Sequence, residues 1–330
     1  MPVNETYTVT QESIDSITEL WADSANRLNW DCLFVVPGWL KAWWRAFGND
    51  RTPYLCSIRG HGELIGMAPL MVETQTARLM GDTDVCDFQD VVVVPGREKA
   101  FFDALFDHLK RQGIRQLDLE AVRSDSTLYR HLALATTDHP YTVDCQSVDA
   151  TMVLDLPASW DAYLRQLTGK QRHEVRRKFR RLEEAGRIKI HTVDAAADVC
   201  SAMETFLTLF KRNRTDKAQF MTDQMAFFFR SLAVELASAR ILRLFFLMLD
   251  DMIVAAVMCF DYDDTFHLYN NGYDVRYYNL SVGLLSKLFT LKESIHLGKK
   301  RYDFLKGTEV YKHRLGAKRV PLYRCRVSLA

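Results

Sequence analysis

The sequence contains no CxxC pair. Its seven cysteines, at 32, 56, 86, 145, 200, 259 and 325, are odd in number and far apart. That spacing suggests neither a disulfide framework nor a zinc site. An excess of charge is missing too: 43 basic against 42 acidic residues leave a formal net charge of +1. Such balance argues against a dedicated nucleic-acid coat protein, and no DNA partner is expected. The most apolar run, Ile241 to Leu249, is interrupted by Arg243 and falls well short of the ~20 residues a membrane span needs. The opening stretch MPVNETYTVTQES has no hydrophobic signal core, so the expectation is a soluble, cytoplasmic protein in a reducing compartment. GxSxG, P-loop and HExxH motifs are absent, as is GxGxxG in a strand–helix setting. With His191, His267 and His296 scattered along the chain, no metal site is expected.

What remains is an ordinary globular composition, 48% hydrophobic and 26% charged over 330 residues. That length is comfortable for two domains of about 150 residues. The chain also repeats a plan. YLCSIRGHGELIGMAPLMVE, from Tyr54, and LRLFFLMLDDMIVAAVMCFDY, from Leu242, both read as strand, turn and strand. Each is followed by a strand-like run (VCDFQDVVVV from Val85; TFHLYNNGYD from Thr265), then a helix, then a last strand. Phe102, Leu105, Phe106 and Leu109 mark the face of the first helix; Leu284, Leu285, Leu288 and Leu291 mark the second. Gly113 and Gly298 fit C-terminal stops, and each is followed four residues later by an acid-centred strand, Leu117-Asp118-Leu119 and Tyr302-Asp303-Phe304. The pattern predicts an α/β (α+β) chain with domains at 1–145 and 146–330, divided in the polar stretch 137–150. Three helical stretches, including a basic one, are inserted in the second half.

That basic helix, GKQRHEVRRKFRRLEEAG from Gly169, holds seven Lys or Arg and one acid between Lys170 and Arg181. Val175, Phe179 and Leu182 form a narrow apolar stripe. Arg172, Arg176 and Arg180 form one ridge, and His173, Arg177 and Arg181 the next. Like charges four apart repel by a few tenths of a kcal/mol each. A solvated face is the plain reading; an anion-binding face, with Lys170, Arg172, Arg176 and Arg177, is the functional one. A second feature is YNNGYDVRYYNLSVGLLSKL from Tyr269. Here a strand ends and a helix begins near Ser281, a good N-cap, with Gly283 in the first turn. Such a start suits an anion, since free amides and the helix dipole both favour negative charge. A third is RYDFLKGTEVYKHRLGAKRV from Arg301. From Lys292 to Arg326 there are eleven Lys or Arg against three acids. Asp303, Glu309, Tyr311 and Lys312 there have the makings of acid–base work, or the acids only neutralise neighbouring bases.

Together these stretches resemble the GNAT acetyltransferase superfamily, and their repetition resembles the double-domain Fem-type transferases. KQRHEVRRKFRRLEE, YNNGYDVRYYNLSVGLL, GKKRYDFLKGTEVYKHRLGA and the upstream WLKAWWRAFG are similar to the BioF-like/CelD-like acetyltransferase group. The resemblance implies two tandem GNAT-like domains, each a mixed, mostly antiparallel sheet flanked by helices. It implies acyl transfer from a thioester to an amine, with acetyl-CoA or another acyl-CoA as co-substrate entering between two splayed strands. Carried onto this sequence, it places the donor at Tyr269, Asn270, Asn271 and the helix start Ser281, Val282, Gly283, Leu284. Asp303 or Glu309 becomes the base or amine-binding group, Tyr311 the proton donor, and Lys312 with Arg172 and Arg176 the anion contacts. Gly283→Asp is then expected to remove donor binding without unfolding the protein. The first half, where VVVVPGREKAFF offers no polar approach loop, is expected to be non-catalytic. The stretch YYNLSVG has fewer glycines than the superfamily signature, so three functions stay open. They are an acyl-CoA-dependent N-acyltransferase acting on a small molecule, sugar or cell-envelope precursor; a Fem-type aminoacyl-tRNA-dependent transferase; and a non-catalytic polyanion-binding protein.

Overall fold

The computed structural model describes residues 7–24, 27–49, 51–133 and 141–329. Residues 137–140 of the expected boundary and 1–6 of the polar N-terminus lie outside them. The chain divides into two compact units, Met1–Ala150 with Val320–Ala330, and Thr151–Arg319.

The first unit runs β1 (Tyr7–Glu12), α1 (Ile17–Ser24), α2 (Pro37–Phe47), β2 (Thr52–Gly60), β3 (Glu63–Glu73), β4 (Thr76–Leu79), β5 (Val92–Val93), α3 (Glu98–Arg111), β6 (Gln116–Arg123) and α4 (Thr127–Ala133). Strand β7 (Thr142–Asp155) leads into the second unit. There follow α5 (Trp160–Gln166), α6 (Gly169–Ala185), β8 (Ile188–Val193), α7 (Ala196–Asn213), α8 (Thr215–Phe220), α9 (Asp223–Ser238), β9 (Leu242–Leu249), β10 (Met252–Tyr262), β11 (Thr265–Tyr273), α10 (Val282–His296), β12 (Arg301–Lys306) and α11 (Val310–Arg314). The last strand, β13 (Lys318–Ser328), returns to the first unit and pairs antiparallel with β6. A strand counted by sequence position with the second half thus completes the sheet of the first.

Strand order is β1-β2-β3-β4-β6-β13 in the first unit, with β5 beside β3, and β7-β12-β11-β10-β9-β8 in the second. The parallel pairs are β4 with β6 and β11 with β12. The repeated plan is therefore physical. Both hairpins form as their turns require: His61 and Gly62 have φ of 52° and 83°, Asp250 and Asp251 of 48° and 66°. Positive φ at both central residues matches the strand twist, and aspartate tolerates that region better than most. Helices α3 and α10 bury Phe102, Leu105, Phe106 and Leu109, and Leu285, Leu288 and Leu291, against their sheets. Each helix stops just before its glycine, Gly113 or Gly298, at φ of 79° and 72°.

Three expectations are corrected. The strand expected from Val85 shrinks to Val92–Val93. Residues 80–91 instead fill the place where β4 and β6 part, after Ala77 and Leu117. There the Gln89 amide donates to the Ala121 carbonyl and its side chain to the Met80 carbonyl, at 3.0 and 2.7 Å. Between β7 and β9 lie five helices and a strand, more than the three helical stretches expected. Finally, Cys145 and Cys325 form a disulfide across 180 residues. Its partners stand on β7 and β13, neighbours in space that sequence spacing does not reveal. No helix among the described residues is long and apolar enough to cross a membrane.

Candidate active site

The second unit's sheet opens where β11 and β12 separate. They pair in parallel only at Thr265–Arg301, Phe266–Tyr302 and His267–Asp303. Beyond that, β11 stays with β10 as far as Tyr273 opposite Ala255, while β12 stays with β7 as far as Lys306 opposite Thr151. Strand β11 carries a bulge at the point of departure: Met258 faces Asn270 and Cys259 faces Leu268, so Tyr269 is the extra residue. Bulges of this kind re-aim backbone and side chains beside active sites. In the other lip, Leu305 takes a left-handed φ of 59°, and its amide donates to Asp303 Oδ1 at 2.8 Å.

Parting two strands leaves backbone carbonyls without ladder partners, and buried ones must be satisfied otherwise. Lysines do this on both lips. Lys217, from α8, donates to the Asn271 carbonyl. Lys312, from α11, is 2% exposed and donates to the carbonyls of Lys306, Gly307 and Leu305 at 2.6, 3.1 and 3.3 Å. It also meets Glu309 at 3.0 Å. A third lysine, Lys287 of α10, places its ammonium 4.3 Å from the centre of the Tyr311 ring. Burial, then the charges of Lys217 and Lys312, press its pKa down to about 7 against the pull of Glu309. Burial lowers Lys217 as well, to about 8. Burial alone would raise the Glu309 carboxyl, but Lys312 outweighs it and holds the group below its ordinary range. Burial pushes the Tyr311 hydroxyl well up, with the Glu309 charge adding to it. At neutral pH the group therefore comprises a carboxylate, a protonated phenol and a lysine near its own midpoint.

Beside it lies a cavity of about 840 Å³, lined by Lys170, His173, Glu174, Lys178, Leu284, Tyr311 and Arg314, among others. Helix α6 is fixed there by a capping box, Thr168 with Gln171, a [ST]-x-x-[EQ] pattern present in the sequence. Its apolar stripe behaves as its spacing predicts: Val175 and Leu182 are buried, and Phe179 packs edge-on against Phe289 and Trp160. Lys178 Nζ donates to Ser281 Oγ at 2.8 Å and meets Glu174 at 3.2 Å, tying the basic helix to the start of α10.

Residues 169–313 match the family described as acetyltransferase (GNAT) domain. The crystal structure of FemX overlaps at a TM-score of 0.64, with 11% identity and 96% of each chain covered. The fold is a GNAT fold of the Fem-related kind. A conserved protein of unknown function from Bacteroides thetaiotaomicron overlaps this GNAT fold at a TM-score of 0.60, with 12% identity, 98% of this chain and 100% of that one. L-PGS from Bacillus licheniformis overlaps at 0.53, with 10% identity, 88% of this chain and 90% of that one. No curated protein sequence matches the chain.

Within the GNAT fold, Tyr311, Lys170 and Leu284 line the cavity as one group, and Tyr269, Asn270 and Asn271 stand on the bulged lip. The other expected site residues fare differently. Asp303 is 1% exposed and turned to the Leu305 amide, so it stabilises the kink in β12. Lys312 is corrected from anion contact to scaffold, because three carbonyls and Glu309 use all its donors. Arg172 donates to the Leu164 carbonyl at 3.4 Å. Arg177 is held by Glu174 through two contacts of 2.9 Å, and Arg176 is exposed outside the cavity lining. The face of α6 that lines the cavity carries Lys170, His173 and Lys178 instead. Ser281 holds the N-cap position of α10 as expected, but at φ 57° and without a side-chain cap bond; its hydroxyl accepts from Lys178 instead. Val282 and Gly283 are buried. A Cβ on Gly283 would lie 2.6 Å from the Tyr273 ring, so Gly283→Asp would disturb packing and cannot report on donor binding alone.

Sequence reasoning missed Lys217, Lys287, Lys178 and Arg314. Lys287 did leave a signal, as a lone cation in the apolar helix run VGLLSKLF. Among the described residues, no group of three or more His, Cys, Asp or Glu is placed to hold a metal.

Proposed function

We propose that the second unit transfers an acyl group from an activated donor to an amine, in the gap between β11 and β12. The separation of these strands at the Tyr269 bulge is the observation that carries the reading. An acyl carbonyl placed there would find the strand amides near Tyr269–Asn271, positioned for the oxyanion that forms on attack. Lys287, near its midpoint at neutral pH, can take the proton that the attacking amine must lose. Tyr311, kept protonated by burial, can give one to the leaving group. Glu309 holds Lys312 and adds negative charge that favours an approaching ammonium. With a thioester donor the leaving thiol has a pKa near ~8.5 and needs little help. The first unit keeps the plan without the gap, since Gln89 occupies the corresponding place.

Acyl-CoA is the donor this reading favours, and the acceptor is an amine of a small molecule, sugar or cell-envelope precursor. The Fem-type alternative, aminoacyl-tRNA, is supported by one observation: Arg176, Arg180 and Arg181 are exposed on α6, a surface fit for a polyanion. Thermal denaturation separates the two. A ligand at ~100 times its dissociation constant adds ~2.7 kcal/mol, a clear rise in melting temperature. Acetyl-CoA or a longer acyl-CoA is expected to give that rise. A rise with total aminoacyl-tRNA and none with any acyl-CoA would replace the first donor with the second.

A further inference from the structure

In a GNAT fold a coenzyme's pyrophosphate is expected on the amides where α10 begins. That start is covered here. Val282 is fully buried, Gly283 is buried with the Tyr273 ring against it, and the amide of Leu284, third in the helix, already bonds to the Ser281 carbonyl at 3.0 Å. A positive side chain stands in their stead: Lys178, one-fifth exposed, seated on the Ser281 hydroxyl. Around it the cavity wall brings Lys170 and His173 from α6 and Arg314 from α11. The one carboxylate in that wall, Glu174, is already paired with Arg177 and Lys178. The Arg177 hydrogen bonds, then Lys178, hold it down at about 2. The rest of the lining includes Val175, Leu284 and Leu315. The cavity is thus an apolar trough with a cationic wall, and at about 840 Å³ it falls within the ~300–1,000 Å³ usual for small-molecule sites.

We propose that the phosphate-bearing part of the donor is held in this cavity by the side chains of Lys170, Lys178 and Arg314, and not by the backbone at the start of α10. The inference rests on the acyl-transfer reading above and extends it. The ligand class is an anion of two or more phosphates attached to a less polar arm. The arm runs along Leu284 and Leu315 toward Tyr311, and the phosphates meet the cationic wall. Coenzyme A offers this chemistry as a pyrophosphate, and the acceptor end of a tRNA offers it as phosphodiesters.

Calorimetric titration of the full chain with coenzyme A, and separately with an RNA minihelix ending in CCA, tests the site and tells the two sources apart. Lys178→Met, and the double variant Lys170→Ala with Arg314→Ala, are compared with Arg176→Ala with Arg180→Ala, which alters the exposed ridge. Whichever probe the wild type binds, each cavity variant is expected to weaken it about tenfold or more, since a hydrogen bond to a charged group is lost. With coenzyme A the ridge variant should change little, whereas with the minihelix any loss it causes adds to the cavity effect and does not replace it. With either probe Lys178→Arg should restore much of the Lys178→Met loss. Because Lys170 and Arg314 are exposed, their removal leaves the core intact, so a folding defect in Lys178→Met does not blunt the test. Unchanged binding in both cavity variants, or no binding of either probe by the wild type, overturns the proposal. A transfer assay keeps the two readings apart. If the cavity variants turn over with wild-type KM for the donor, the side-chain site falls and the transfer reading stands. If the wild type binds a probe through these residues yet consumes no acyl donor, the site stands and the transfer reading falls.

Discussion

Lys287→Met is expected to remove most turnover while raising the melting temperature at neutral pH. General acid–base help from a positioned side chain contributes typically ~10²–10⁴-fold, so a loss of that order is expected with the best donor and acceptor. The gain in stability follows from the same burial. In the folded chain Lys287 titrates at about 7, whereas an unfolded lysine titrates near ~10.4. Between those values the unfolded state binds more protons, so this group makes stability rise with pH. Below about 7 the lysine is charged in both states, and the cost of holding a half-buried ammonium there is present in full. Replacing it with an apolar chain of similar length removes that cost. The rise in melting temperature should be largest at or below pH 7 and fade toward pH 10. In the wild type, the acidic limb of the rate profile should turn near pH 7. The groups facing Lys287 are Lys217, Lys312, Glu309 and Tyr311. A fall in melting temperature at pH 6 would mean that Glu309 and the Tyr311 ring outweigh burial and the two lysines. Unchanged turnover would remove Lys287 from the chemistry.

The second large effect is one of stability. Lys312→Met strips the buried carbonyl of Leu305 and the half-buried ones of Lys306 and Gly307 of a shared donor. A buried polar group left unsatisfied costs ~1–3 kcal/mol. One carbonyl is buried and the other two, half-buried on the same loop, can regain water in part, so the total is on the order of 2–4 kcal/mol. Glu309, whose side chain is 58% exposed, regains water and adds little. At ~2–4 °C per kcal/mol for a unit of this size, melting should fall by on the order of 10 °C. Turnover should fall with it, because the β12 lip loses its shape. Arginine is not expected to rescue, since its planar fork cannot reach three carbonyls arranged around one ammonium. A shift of only about 2 °C would show that the loop finds other donors.

Much of the fold was legible. The hairpins announced themselves through turn residues, and the helix faces through 3.6-residue spacing. The duplication showed in the matched offsets from Gly113 and Gly298 to their acid-centred strands. The limits were those of local pattern. Nothing near Cys145 or Cys325 says that β7 and β13 will be neighbours. Nothing in VCDFQDVVVV says that Gln89 will fill a gap between strands it does not belong to. The site was legible by region and less so by residue. Tyr311 lines the cavity, and Tyr269–Asn271 stand on the bulged lip of β11. The roles given to Asp303 and Lys312 depended on which way each side chain turned, and both turned inward to backbone made unsatisfied by the parting of β11 and β12. Arginine ridges drew attention to α6 by their charge, yet the apolar stripe decides which face is turned inward. That face carries Lys170, His173 and Lys178.

The central claim is that the gap between β11 and β12 receives the activated acyl group. Hydrogen exchange measured by mass spectrometry, with and without the donor that raises the melting temperature, tests it most directly. Slower exchange is predicted for amides 269–273 and 304–307, with no change in 76–93 of the first unit, where Gln89 fills the corresponding place. Protection confined to the first unit, or a bound donor that leaves 269–273 and 304–307 exchanging as before, would contradict the account.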